Sequence, residues 1–184
     1  MVTIPGPGSA ADTLTHRAAQ GRLRLFMHGA IITVIGLLSG FGFLFQILDS
    51  VSVWPLVIEL EGGFPGSERG WRLAHVAGIS NGLMMIIAGL ALVHIDAGRR
   101  AQAWVVWGMV YTGWANTLFF HMGNFSSNRA LTAGTSKLGE ADLMGAVGYV
   151  IGASTIPFTL TAMAVIGYCA YKKLKEQAPA YPGA

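Results

Sequence analysis

The residues able to do chemistry are few, and most lie inside long uncharged runs, where a polar or ionisable side chain is costly and therefore informative. His75, Ser80 and Asn81 fall in one run, with His94 near its end; Tyr111, Thr112, Asn116, Thr117 and His121 fall in the next; His28 sits near the start of another. At about 100° per residue on a helix, His75, Gly78, Gly82 and Gly89 share a stripe, and Asn81 borders it about 120° from His75. Such a glycine stripe admits either a second helix at close range or a flat cofactor against the backbone. Trp107, Trp114 and His121 recur at intervals of seven and share one face. His75 supports two readings from its position alone: an axial ligand to haem iron, or an interfacial histidine hydrogen-bonding a neighbouring helix. Asn81 and Asn116 read either as substrate-contacting amides or as interhelical hydrogen bonds. No H-E-x-x-H, P-loop, G-x-S-x-G or C-x-x-C pattern is present. The single cysteine, Cys169, has no partner for an internal disulfide.

These residues are positioned by four apolar segments. The 184-residue chain is 53% hydrophobic and 11% charged, against about 25% charged for soluble domains. Uncharged runs cover 25–48, 73–95, 101–128 and 143–171. About 20 apolar residues in a helix cross a hydrocarbon core of about 30 Å. Because lipid offers no hydrogen-bond partners, each span must be helical; four are too few for a closed barrel. The sequence therefore predicts an all-α membrane protein, a four-helix transmembrane bundle with spans near 25–48, 73–95, 101–122 and 143–171. The first run is too long for a signal-peptide core and lacks a cleavage motif, so it reads as a retained span.

Orientation follows from the basic residues. Arg17, Arg22, Arg24, Arg99, Arg100, Lys172, Lys173 and Lys175 share one side, while Arg69, Arg72, Arg129 and Lys137 on the other are diluted by five acids. The positive-inside rule puts both termini in the cytoplasm, His75 and His121 near the outer surface, and His28 and His94 near the inner one. The net charge of +3 is spread over helix ends and requires no nucleic-acid partner. Residues 1–24 read as a flexible cytoplasmic arm and 172–184 as a cytoplasmic tail. Between the first two spans, VSVWPLVIEL and EGGFPGSERGW read as a segment at the membrane surface, anchored by Trp54 and Trp71. Pro157 is expected to kink the fourth helix.

Several stretches together resemble the styrene oxide isomerase family: MHG at 27–29, FPGSERGW at 64–71, GWRLAHVAGISNGLMM at 70–85, GWAN at 113–116, NFSSNRALTAG at 124–134 and AVIGYCAYK at 164–172. The resemblance covers about 145 residues in one order. It implies a small four-helix enzyme, in a bacterial inner membrane, that binds haem b and assembles as a homotrimer with haem near subunit interfaces. It also implies a Meinwald rearrangement of small hydrophobic epoxides such as styrene oxide: ferric haem acts as Lewis acid, and a 1,2-hydride shift gives the aldehyde. On this resemblance His75 is the haem ligand and Asn81 holds the epoxide. Trp114, Phe119 and Phe120 are candidate aromatic walls for a developing benzylic cation, and Asn116 a further polar contact. Two positions depart from the family: a tyrosine is replaced by Phe120 and an aspartate by Thr112. Tyr111 and His121 are the candidates to restore a donor. The alternatives are a b-type haem protein without isomerase activity, ligated by His75 and His121, and a haem-free transporter or assembly factor.

Overall fold

The computed structural model describes the backbone over residues 10–177 and the side chains over 18–177. Four helices follow in order: α1 (Ala10–Leu48), α2 (Glu68–His94), α3 (Arg99–Phe125) and α4 (Leu143–Gln177). Between α1 and α2, β1 (Ser50–Val53) and β2 (Leu56–Glu59) form an antiparallel hairpin in the register Ser50↔Glu59 to Val53↔Leu56. The expectation of an all-α chain is corrected by this hairpin. Its cause is local: β-branched residues on both sides of a Trp54-Pro55 turn favour extended backbone. Trp54 sits at the tip, 92% exposed. Trp71, by contrast, is packed among rings, its centroid 5.7 Å from both Phe64 and Phe125.

Helix α1 begins well before the expected end of an arm at residue 24. The segment from Ala10 to Arg24 is rich in alanine, leucine and arginine and free of proline, so it propagates a helix. Its inner turns dock on α3, where Gln102 Nε2 donates to the Ala18 carbonyl at 3.0 Å. The first nine residues lie outside the described ones. At the other end α4 runs through Lys172 to Gln177 and continues on both sides of Pro157; the residues beyond Gln177 are likewise outside the description. Lys173 Nζ lies 3.5 Å from Asp96 Oδ2, so the end of α4 and the short α2–α3 turn share one end of the bundle.

Three helices are long and apolar enough to cross a bilayer: Ala18–Leu48 of α1, then α2 and α4. Only 11% of the most apolar stretch of α4 is buried within the chain, so away from its face on α3 this helix presents a hydrocarbon surface. That is tolerable in lipid and not in water, and the chain is a membrane protein. Helix α3 is as long as α2 but less apolar, because tryptophan, tyrosine, asparagine, threonine and histidine replace aliphatic residues along it. It packs firmly on all three other helices, α4, α2 and α1, while α2 and α4 barely meet. A core of Leu25, Ile32, Met85, Val105 and Met109, each fully buried, lies between α1, α2 and α3.

Candidate functional site

The glycine stripe of α2 is filled by a helix. A Cβ on Gly78 would strike the Cα of Gly36, and one on Gly82 the carbonyl of Gly29, both on α1. Of the two uses open to that stripe, close helix packing is the one the fold adopts. His75 lies at the end of the stripe nearer the start of α2. Its Nδ1 is 2.8 Å from the Gly36 carbonyl, and its ring lies where a Cβ on Gly40 would come within 2.8 Å of Nδ1. A carbonyl only accepts, so Nδ1 carries the proton and a neutral His75 keeps its lone pair on Nε2. Among the described residues Nε2 has no hydrogen-bond partner, and the side chain is half-buried.

The other histidines are engaged differently. His121 Nδ1 donates to the Thr117 carbonyl at 2.7 Å, and Nε2 lies 3.0 Å from Ser39 Oγ. Both nitrogens therefore have partners, and the ring stands edge-on to Trp71, centroids 6.2 Å apart. His28 Nδ1 accepts from Trp114 Nε1 at 3.2 Å. The seven-residue stripe of α3 thus faces α1: Trp114 meets His28, His121 meets Ser39, and Trp107 carries the Arg24 guanidinium 5.3 Å above its ring.

Asn81 and Asn116 do meet. Asn116 Nδ2 donates to Asn81 Oδ1 at 3.2 Å, and Asn116 Oδ1 accepts from Thr155 Oγ1 at 3.2 Å. This chain of amides ties α2, α3 and α4 together in the interior; Thr155, which sequence reasoning missed, carries no signal beyond being a polar residue in an apolar span. Thr112 is fully buried and pairs with Thr159, oxygens 2.9 Å apart. Tyr111 pairs with Ser154 at 2.5 Å on the side of α3 turned to α4. Neither Tyr111 nor His121 therefore has a free donor.

Phe120 lines a cavity of about 300 Å³ where α2 starts and α3 ends, together with Phe119, Leu73, Arg69, Asn124 and Arg129 among others. The walls come from the start of α2, the end of α3 and the loop that follows. The candidates read from sequence thus fall into separate places: His75 on the α1–α2 seam, Asn81 and Asn116 in the interior, His121 and Trp114 on the α1–α3 seam, and Phe120 at the cavity between the start of α2 and the end of α3.

Among the described residues no cluster of three or more histidine, cysteine or carboxylate side chains is placed to hold a bare metal ion. A single half-buried imidazole with its tautomer set by a backbone carbonyl suits a different kind of centre. It fits a metal whose equatorial ligands come from a macrocycle, with one axial nitrogen from the protein. The donor set present is thus compatible with haem at His75.

Asp142 caps the start of α4. Its carboxylate accepts from the Ser127 and Gly145 backbone N–H groups, at 3.0 and 2.6 Å. These bonds, Ser127 first, hold its pKa below the ordinary carboxylate value.

Residues 21–171 match the family model described as Styrene oxide isomerase. A relative, the styrene-oxide isomerase of Pseudomonas fluorescens, is 32% identical over 151 residues, which cover 80% of this chain and 86% of that protein.

Proposed function

The chain belongs to the styrene oxide isomerase family and is an isomerase acting on epoxides; from that premise we infer a haem-dependent conversion of aryl epoxides to aldehydes, with His75 as the protein ligand. The observation that supports this reading most is the Gly36 carbonyl at His75 Nδ1. It holds the ring in the tautomer whose Nε2 can donate a lone pair, and it makes that nitrogen more basic. When bound, ferric haem b supplies a Lewis-acidic centre for the epoxide oxygen.

The protein's own share is to bind, orient and keep dry. Opening an aryl epoxide builds positive charge on the benzylic carbon and negative charge on oxygen, and a 1,2-hydride shift then yields the aldehyde with no net redox change. Asn81 is the amide assigned to hold the oxygen, its carbonyl fixed by Asn116 so that its NH₂ is the group left to donate. The aromatic candidates do not converge: Trp114 packs on His28 at the α1–α3 seam, while Phe119 and Phe120 line a separate cavity. The rings that face a benzylic cation are therefore a part of this set, not the whole. The apolar surroundings deny the cation the water that would trap it as a diol.

In this reading α3 is the fourth transmembrane span, its lower hydropathy reflecting polar groups turned inward toward α1 and α4. Both termini are cytoplasmic in a bacterial inner membrane, and the assembly is a homotrimer with haem near subunit interfaces. A half-buried His75 at the α1–α2 surface is compatible with a cofactor shared at such an interface.

The test is the purified protein incubated with styrene oxide while its Soret band is recorded. Wild type is expected to show bound haem and form phenylacetaldehyde; His75→Ala is expected to lose both, while His121→Ala keeps the band. Haem binding and aldehyde formation that both survive in His75→Ala would remove His75 from this role.

A further inference from the structure

The chain of buried amides in the interior ends on a hydroxyl that has two places to put one proton. Asn81 is 8% exposed and accepts at Oδ1 from Asn116 Nδ2, 3.2 Å away. Among the described residues its Nδ2 makes no hydrogen bond, yet it is not one of the atoms buried without a partner. That NH₂ group therefore opens on accessible space. Asn116 Oδ1 in turn accepts from Thr155 Oγ1 at 3.2 Å. Thr155 is 5% exposed, and the same Oγ1 lies 2.7 Å from the Gly152 carbonyl. A hydroxyl donates one proton and keeps two lone pairs, so it cannot serve both carbonyl oxygens fully.

Two polarities of the chain follow. With the Thr155 proton on Asn116 Oδ1, the Asn116 NH₂ faces the Asn81 carbonyl, and Asn81 is left with NH₂ to offer. With the proton turned to Gly152, Thr155 presents lone pairs to Asn116. The Asn116 amide then turns over to donate to Thr155, and its carbonyl takes the Asn81 NH₂. Asn81 is left with its carbonyl to offer. An amide exchanges oxygen and nitrogen by rotating in place, so both polarities fit the same cage of atoms. The Gly152 carbonyl belongs to α4, where the helical ladder supplies a donor from four residues on. Asn116 Oδ1 has no donor but Thr155 among the described residues. The hydroxyl is thus needed more at Asn116 than at Gly152.

We propose that Thr155 is a positioning residue for the epoxide. Its hydroxyl, by donating to Asn116 Oδ1, selects the polarity in which Asn81 offers NH₂ to the epoxide oxygen. This rests on the reading that Asn81 holds that oxygen. An epoxide oxygen has only lone pairs, and ring opening makes it more negative. The opposite polarity would set the Asn81 carbonyl against that growing charge. Thr155 acts through two amides and not on the substrate itself.

The experiment compares steady-state kinetics on styrene oxide for the full-length enzyme as purified, with unfolding temperatures alongside. Thr155→Val keeps the shape and removes the proton; kcat/KM should fall about 10-fold, against about 100-fold for losing the donor itself in Asn81→Ala. Thr155→Ser restores a hydroxyl and should return kcat/KM to within about 3-fold of wild type. Thr155→Val should add nothing in the Asn81→Ala background, because the two act in one chain. If Thr155→Val proves unstable, Thr155→Cys takes its place, a weak donor of similar shape that should give an intermediate loss. Wild-type kcat/KM in the folded variant, a loss that serine does not recover, or an equal loss with and without Asn81 would overturn the proposal. Each of those results leaves Asn81 and the isomerase reading intact. Wild-type kcat/KM in Asn81→Ala would instead remove Asn81 from the reaction, and this role of Thr155 with it.

Discussion

Along the α1–α2 seam the backbones themselves touch. A Cβ on Gly36 would come within 2.5 Å of the Ile79 nitrogen, and one on Gly78 within 2.5 Å of the Gly36 Cα. Along the α3–α4 seam the helices are joined by side chains instead: Tyr111 to Ser154, Thr112 to Thr159, Asn116 to Thr155. Even its glycines admit side chains, Gly152 receiving the Phe119 ring and Gly148 the Met122 side chain. The difference has a mechanical consequence. Backbone contact leaves no room for one added carbon, and it exposes the Gly36 carbonyl so that a histidine can bond to it. Hydroxyl pairs are forgiving, because each has a fallback on its own helix: Thr159 bonds the Thr155 carbonyl and Ser154 the Ile151 carbonyl. A rigid seam therefore orients the proposed cofactor ligand, and an adjustable one closes the bundle behind it.

The sharpest way to break this contrast is Gly36→Leu. It should cost more than about 3 kcal/mol, the upper range for overpacking, and leave little folded protein by size-exclusion chromatography and thermal unfolding; an unfolding temperature close to wild type would show that the seam is not a backbone contact. Next, Asn116→Leu strands Asn81 Oδ1 in the interior while Thr155 keeps its bond to the Gly152 carbonyl, at a cost of about 1–3 kcal/mol, measured as lost resistance to denaturant. Gly40→Ala pushes on the His75 ring rather than on the fold. It should weaken haem retention about 10-fold, the lower range for disturbing a metal ligand's support, read as the Soret-to-protein absorbance ratio after dialysis. Thr112→Val should cost only about 0.6 kcal/mol, the average for a hydrogen bond between membrane helices; a loss near that of Asn116→Leu would show the hydroxyl seam to be as unforgiving as the glycine one.

The smallest effect lies outside both seams. Asp142 has a folded pKa below its ordinary value of 3.8. Its contribution is thus present above that value and is lost as pH falls through the lower, folded one. The wild-type unfolding temperature should decline in that acidic window more steeply than that of Asp142→Asn, compared from neutral pH down to about pH 2.

How much of this was legible beforehand differs by element. The apolar runs located α2, α3 and α4 to within a few residues, because charge exclusion by lipid is written directly into composition. The start of α1 is not legible in the apolar runs, since Ala10–Arg24 is polar enough to look like a tail yet helical by propensity. The segment at Ser50–Glu59 reads as a membrane-surface element, but its hairpin form is not legible, because two four-residue strands carry too short a pattern to be told from an amphipathic turn. Of the site candidates, the meeting of Asn81 with Asn116 follows from facing helices, whereas the stretches FPGSERGW and NFSSNRALTAG are legible as motifs but only the fold joins them, through the Ser67 N–H bonded to Asn124 Oδ1.

The sequence by itself determined that this chain lives in a membrane, which family it belongs to, and which polar residues the bilayer would have to tolerate, since hydropathy and motif are properties of the chain in order. Only the tertiary structure decided what each of those residues does. Whether the glycine stripe beside His75 met a helix or a cofactor, which imidazole nitrogen kept its lone pair, and which amide was left unpaired all depend on groups far apart in sequence. Those contacts are set by how closely two backbones can approach, and one carbon atom on Gly36 or Gly78 would change the answer.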